Sequence, residues 1–300
     1  MNVNDQSSPK YRKFSFHRIG AIATNTLTEL ARQKVFYVLL IFALILIGSS
    51  VFMARFTFQQ EFQILKDISL GAMSIFSSLL AIVATARLIS QDVDDRTIYT
   101  ILAKPVPRFE YVLGKLAGVL LLLAISIVVM SVLFTAVFYF REQAVLSQTA
   151  RELSRAPQEQ MNDALNAIRV AGLNADIFSG VLVIFIKACL LAALTLLVST
   201  FATTNIFTIS VMVFVYLIGH LQSTAREYWL QQPGAGWVAR GFLAVIALIF
   251  PDLQAFNLVD AIVAGVAIPL ALFAKTILLG LFYVVIYTLA SIFVFYGKEL

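Results

Sequence analysis

Charge is what this sequence has least of. Only 13% of its 300 residues are Asp, Glu, Lys or Arg, while 60% are hydrophobic and the mean hydropathy is +0.88. A soluble domain runs near half apolar and a quarter charged. So few polar side chains cannot cover a water-soluble globule, and the composition assigns the chain to the bilayer. Cysteine is nearly absent as well. Cys189 stands alone inside an apolar run, which excludes an intrachain disulfide. The two histidines, His17 and His220, form no H-E-x-x-H, and this counts against a zinc protease. No G-x-x-x-x-G-K-[ST] occurs, so the chain does not bind ATP through a P-loop. Ser179-Gly180 has no base placed to activate the serine. No catalytic, cofactor-binding or metal-binding residue is assigned.

What remains is long apolar runs. Crossing about 30 Å of hydrocarbon takes roughly 20 apolar residues. Runs 35–53, 68–89, 114–140, 177–200 and 275–296 meet that length, and 204–221 falls slightly short but within range. The sequence therefore predicts an all-α integral membrane protein with six transmembrane helices. Residues 1–13 read as a polar, basic, disordered tail with no secretory signal, and the first apolar run is expected to remain as an anchor. Between the fifth and last runs, 237–250 is apolar but spans only about 21 Å as a helix. Pro251-Asp252 ends it, and a second short run, 259–273, carries Pro269. The expectation is a re-entrant hairpin over 237–273 on the outer side, with two further full spans as the alternative.

Basic residues set the orientation. Lys10, Arg12, Lys13, Arg18, Arg32 and Lys34 precede the first span, against Arg55 and Lys66 after it. This puts the N-terminus in the cytoplasm, and six crossings return the C-terminus there. Loop 90–113 then lies inside, and 141–176, which reads as polar helix over 141–173, lies outside. In the segment 14–34, Phe16, Ile19, Ala23, Leu27 and Leu30 recur at spacings of three and four, which predicts an amphipathic helix on the inner leaflet or on a cytoplasmic partner.

Ionisable residues at membrane depth are scarce. Lys187, about ten residues into the fourth span, is either functional or snorkels to the interface. Lys275 sits at a span edge, where snorkelling accounts for it. Gly114-x-x-x-Gly118 permits close helix approach, within one subunit or between two. An ion-coupled carrier would carry more intramembrane acids or broken mid-span helices than are present here.

The segment 90–115 is the most distinctive. Asp92, Asp94 and Asp95 lead into a short amphipathic stretch with Ile98, Ile101 and Leu102 on one face. Pro105-Val106-Pro107 stops it, and Arg108-Phe109-Glu110-Tyr111 feeds the next span. From its physics alone this is a compact inner-surface element with charged and apolar faces, suited to docking a partner. The run Arg96-Thr97-Ile98-Tyr99, then Leu102, Lys104-Pro105-Val106, Arg108 and Gly114-Lys115, resembles the permease subunits of ABC-2 type transporters. The likeness is strongest to the group that includes the nitrous-oxide-reductase maturation permease. The entry 27–34 and the segment Pro251-Asp252-Leu253 with Phe256-Asn257 are also similar to that family.

The resemblance implies a type V ABC exporter-like permease, with an N-terminal interfacial helix, a cytoplasmic coupling helix and an outer hairpin before the last span. Two permease copies, expected as a homodimer, would work with two ATPase subunits in the cell's inner membrane. ATP and Mg would be bound by those partners and no cofactor by this chain; no nucleic-acid partner is implied. The residues expected to dock the ATPase are Asp92, Asp94, Asp95, Arg96, Thr97, Ile98, Ile101 and Leu102. The second and fifth spans are expected to line the pathway. A non-transporting scaffold using the same loop, or an ion-coupled carrier, is the alternative. The topology has a direct test. A cysteine at Ser154, in a Cys189→Ser background, is expected to react with an impermeant thiol reagent in intact cells; labelling only after lysis would reverse the orientation.

Overall fold

The computed structural model describes residues 15–54, 61–94, 107–154, 157–172, 175–202, 204–231, 241 and 250–297. Among these, all regular structure is helical. In chain order the helices are α1 (Phe16–Ala31), α2 (Lys34–Ala54), α3 (Glu61–Asp94), α4 (Arg108–Glu152), α5 (Gln158–Ala171), α6 (Ala175–Phe201) and α7 (Asn205–Gln231). A 3₁₀ turn (Leu253–Phe256), α8 (Val259–Val263) and α9 (Leu270–Gly297) follow. Helices α2, α3, α4, α6, α7 and α9 supply six stretches long and apolar enough to cross a membrane. In hydrocarbon every backbone N–H and C=O must be paired within its own segment, which leaves helices as the solution for runs of this kind.

Helix α6 is the axis of the bundle. Nearly all of 183–200 is buried, including Ala188, Ala192 and Ala193, and α6 packs against α3, α9, α4 and α7. Its small residues let those helices come close where lipid gives no hydrophobic drive between them. The outward faces are apolar and exposed, as with Val38, Ile41 and Ile45 on α2 or Leu278, Phe282 and Phe293 on α9. The bundle has two ends. The base carries α1, the end of α3 and the start of α4; the apex carries the start of α3, the end of α4, α5 and α8.

Several boundaries differ from the sequence expectation, each for a local reason. No glycine or proline interrupts the chain between Gly71 and Pro105, and α3 runs through to Asp94. Asp92 and Asp94 thus belong to the last turn of α3 rather than to the start of a separate helix. None interrupts it between Gly118 and Pro157 either, so the third span and the first part of the polar segment fuse into one helix, α4, of 45 residues. At roughly 1.5 Å per residue it is about 67 Å long, more than twice a bilayer core. Helix α5 folds back against its far end. The short run at 259–273 is not one helix: it breaks at Gly265, whose φ of 71° suits glycine, and α9 begins directly after Pro269. Residues 232–240 and 242–249, most of the first hairpin arm, lie outside the described residues, as do 1–13.

Helix α1 packs on α4. Ala23, Thr26 and Leu30 are buried, while Phe16, the first residue of the expected stripe, is 79% exposed. Gly114 and Gly118 make this possible. A Cβ at Gly118 would sit 2.6 Å from Thr26 Cβ and 2.8 Å from the Ala23 carbonyl oxygen; one at Gly114 would sit 2.7 Å from Ile22 Cβ. The Gly-x-x-x-Gly face is therefore occupied from within the subunit. Gly118→Leu is expected to lower the melting temperature in detergent, by an overpacking cost of about 1–3 kcal/mol. Gly20→Ala, where an added Cβ meets nothing within 4 Å, is expected to be neutral or mildly stabilising. Equal effects from the two variants would remove the glycine contact as the reason for this packing.

Candidate functional site

At the base, the start of α4 is fixed on both sides. Glu110 is completely buried, and a buried carboxylate needs charge and hydrogen bonds to replace its water. Arg18 of α1 provides both, donating from Nε at 2.6 Å to Oε2 and from Nη2 at 2.7 Å to Oε1. The backbone N–H of Ser15 adds a third donor to Oε1 at 3.1 Å. This forked arrangement is the strong geometry for a guanidinium and a carboxylate. The hydrogen bond to Glu110 also raises the pKa of Arg18 above its ordinary value, so the guanidinium stays charged. One turn further along α4, Lys115 lies 3.7 Å from Glu29 of α1.

On the other side, Arg108 donates from Nη1 to the carbonyl oxygens of Phe295 (3.2 Å) and Tyr296 (2.9 Å). Those carbonyls end α9, where a cation is favourable against the helix dipole. Tyr111 stacks on Phe295 with ring centroids 5.8 Å apart. The first turn of α4 thus ties α1 to the end of α9. Its neighbour in sequence is the 95–106 segment.

Of the residues expected to dock a partner, Asp92 and Asp94 have described backbone only, and Asp95, Arg96, Thr97, Ile98, Ile101 and Leu102 lie outside the described residues. The sequence reading missed Glu110 and Arg18. They lie 92 positions apart, and nothing in a single sequence pairs them. The available signal was local: an acid in the first turn of a span, and an arginine on an amphipathic helix.

Inside the bundle, Lys187 is 3% exposed. It reaches neither end of α6: its Nζ donates to Ser74 Oγ of α3 at 2.8 Å and lies 5.9 Å from the centre of the Tyr216 ring of α7. Snorkelling does not describe this side chain. The Tyr216 and His220 rings are 4.3 Å apart, and His220 Nδ1 is 2.9 Å from the Tyr216 carbonyl oxygen. Ser78 donates to the Ser74 carbonyl at 2.7 Å and hydrogen-bonds the Tyr216 side chain. A polar seam therefore joins α3, α6 and α7 at membrane depth. Lys275 is exposed near the start of α9. Among the described residues, no cluster of His, Cys, Asp and Glu is arranged to hold a metal ion.

With this geometry in view, residues 28–154 match the family described as ABC-2 family transporter protein. The match covers less than half of the 300 residues, and over that stretch the chain is similar to the family. The match takes in the end of α1, the whole of α2, α3 and α4, and the 95–106 segment between the last two; Pro251–Asn257 lies beyond it. It names the family and not the narrower group. No curated protein matches the chain. The six apolar helices are those of a multi-pass membrane protein.

The clamp at the base can be tested by charge exchange. Arg18→Glu is expected to lower the melting temperature in detergent, because it sets a second carboxylate against a buried one. The double variant Arg18→Glu with Glu110→Arg is expected to recover part of that loss. A double variant no more stable than the single one would show that the pairing itself does not hold α1.

Proposed function

We propose that this chain is the membrane half of an ATP-driven exporter in an inner membrane, with both termini cytoplasmic, and that a separate ATPase subunit docks on the segment from Asp92 to Leu102. The observation that carries the proposal is the family match across residues 28–154, which spans that segment and both helices flanking it. Sequence chemistry supports it. The stretch joins three acids to an apolar face of Ile98, Ile101 and Leu102, giving a charge pattern for orientation and a surface to bury. The anchoring of its return helix supports it too. A docking element transmits force only if its roots are held, and Arg108 and Glu110 hold the second root against α9 and α1. ATP and Mg would be bound by the ATPase, and two copies of this chain would complete the transporter. Of the alternative classes, the scaffold reading shares the docking loop and differs in lacking coupled turnover.

The double reversal Asp94→Lys with Asp95→Lys separates docking from local stabilisation. As helix-end charges these acids would contribute about 0.3–1 kcal/mol each, and their reversal would cost a little stability only. As docking residues, they are expected to matter for complex formation. The variant should insert and fold like the native chain, yet lose co-purification of the ATPase subunit or its transport-coupled ATP turnover in lipid. Normal complex yield with normal coupled turnover would overturn the docking role.

A further inference from the structure

We propose that Lys187, Ser74 and His220 form an intramembrane site for the anionic group, carboxylate or phosphate, of an amphipathic ligand. The idea rests on the permease reading only in taking that ligand as cargo. Three observations lead to it. First, the Lys187 ammonium has three N–H donors, and among the described residues one hydrogen-bond acceptor, the Ser74 hydroxyl, and no ion pair. An ammonium in a medium this apolar is held at a cost of several kcal/mol unless an anion meets it.

Second, among the described residues the groups gathered around it are neutral hydroxyls, a phenol and an imidazole, with no carboxylate in contact. Ser74 and Ser78 carry hydroxyls, Tyr216 carries a phenol, and His220 lies within electrostatic range of Lys187. A site built for a metal or an ammonium would present carboxylates. The carboxylate whose field reaches this group is Asp252, acting on His220, and its Oδ1 already accepts the Gln254 N–H at 3.1 Å.

Third, His220 is half-buried at the border between this seam and an exposed apolar strip of α7, with Phe214, Leu217 and Leu221 pointing outward. An acyl or isoprenoid tail can lie along that strip while its acidic head reaches His220 and Lys187. The head would take the place of the Tyr216 ring at the ammonium, meeting the donors that Ser74 leaves unused, so binding requires α7 to shift away from α3 and α6. A purely structural lysine would call for none of this.

The test uses the full chain in phosphatidylcholine nanodiscs and a fluorescent C18 polyene fatty acid, compared with its uncharged methyl ester. Saturable binding of the acid over the ester is expected in the native protein. Lys187→Met is expected to weaken the acid by about tenfold or more, the size of a lost hydrogen bond to charge, while Lys187→Arg stays within about threefold. Competition then separates the sources: oleate and phosphatidate compete if the natural ligand is an amphiphile, and inorganic phosphate competes if it is a soluble anion. Acid and ester binding alike in the native protein, or Lys187→Met retaining native affinity, would overturn the site. Should Lys187→Met fail to fold, Ser74→Ala combined with His220→Leu reads the same quantity, and native affinity there overturns it equally. No ATPase subunit is needed, so failure here leaves the docking result untouched, and the reverse also holds.

Discussion

A carboxylate with no access to solvent cannot remain charged without partners, and Glu110 sets the geometry of the base for that reason. Its three hydrogen bonds come from two different points on one short stretch, the Ser15 backbone and the Arg18 fork. They can be met together only if α1 starts beside the first turn of α4. With its start fixed there, α1 has one direction left along which it can bury an apolar face. Gly114 and Gly118 open that direction by removing the side chains that would hold the two helices apart. The position of α1, and with it the entry into α2, follows from one buried acid and two missing side chains.

The apex uses the same chemistry in a different arrangement. Lys66, buried near the start of α3, donates to the carbonyl oxygen of Ala171 at 2.8 Å, at the last residue of α5. Arg141 of α4 meets Glu61 of α3 at 2.7 Å. Polar ties are thus concentrated at the two ends, where side chains can be hydrated while they form. Between the ends, cohesion comes from packing of small and branched side chains about α6, since lipid tails compete with any purely apolar contact. Lys187 is the exception to that division, and its exceptional position is what makes it informative.

Six spans were legible in the sequence because hydropathy reports a strong constraint: an apolar run of this length has no other way to satisfy its backbone. The ends of those spans were less legible. Hydropathy marks where a helix leaves hydrocarbon, whereas the helix itself can run on past that point where no breaker intervenes. Continuation of α3 to Asp94 and of α4 to Glu152 follows from the absence of glycine and proline, a signal the sequence also contains. The amphipathic period of α1 was legible, but the surface it faces was not. Periodicity gives a face and is silent on what covers it. For Lys187 the sequence left snorkelling and an interior role level, and only the positions of Ser74 and Tyr216 on two other helices decide between them. The match to Glu110 was illegible for the same reason: long-range pairs carry no local pattern.

The two roots of the 95–106 segment lead to different parts of the molecule. Through α3, the first root runs to Ser74, about 20 residues or ~30 Å from Asp94, where the Ser74–Lys187 bond joins α3 to α6 and the Tyr216 contacts join it to α7. Through the first turn of α4, the second root is held within a few residues to α1 and to the end of α9. Under the proposed docking, a push on the segment meets charged ties to α1 and α9 on one side and, on the other, a helix buried over much of 80–89 and packed on α2 and α6. Displacement carried along α3 arrives where the polar seam crosses the bundle. At that seam α7 is held by the Ser78–Tyr216 hydrogen bond and the Lys187–Tyr216 contact, which yield more readily than the packed alanines of α6 around it. Motion started at the base is therefore expected to part α7 from α3 before it disturbs the axis.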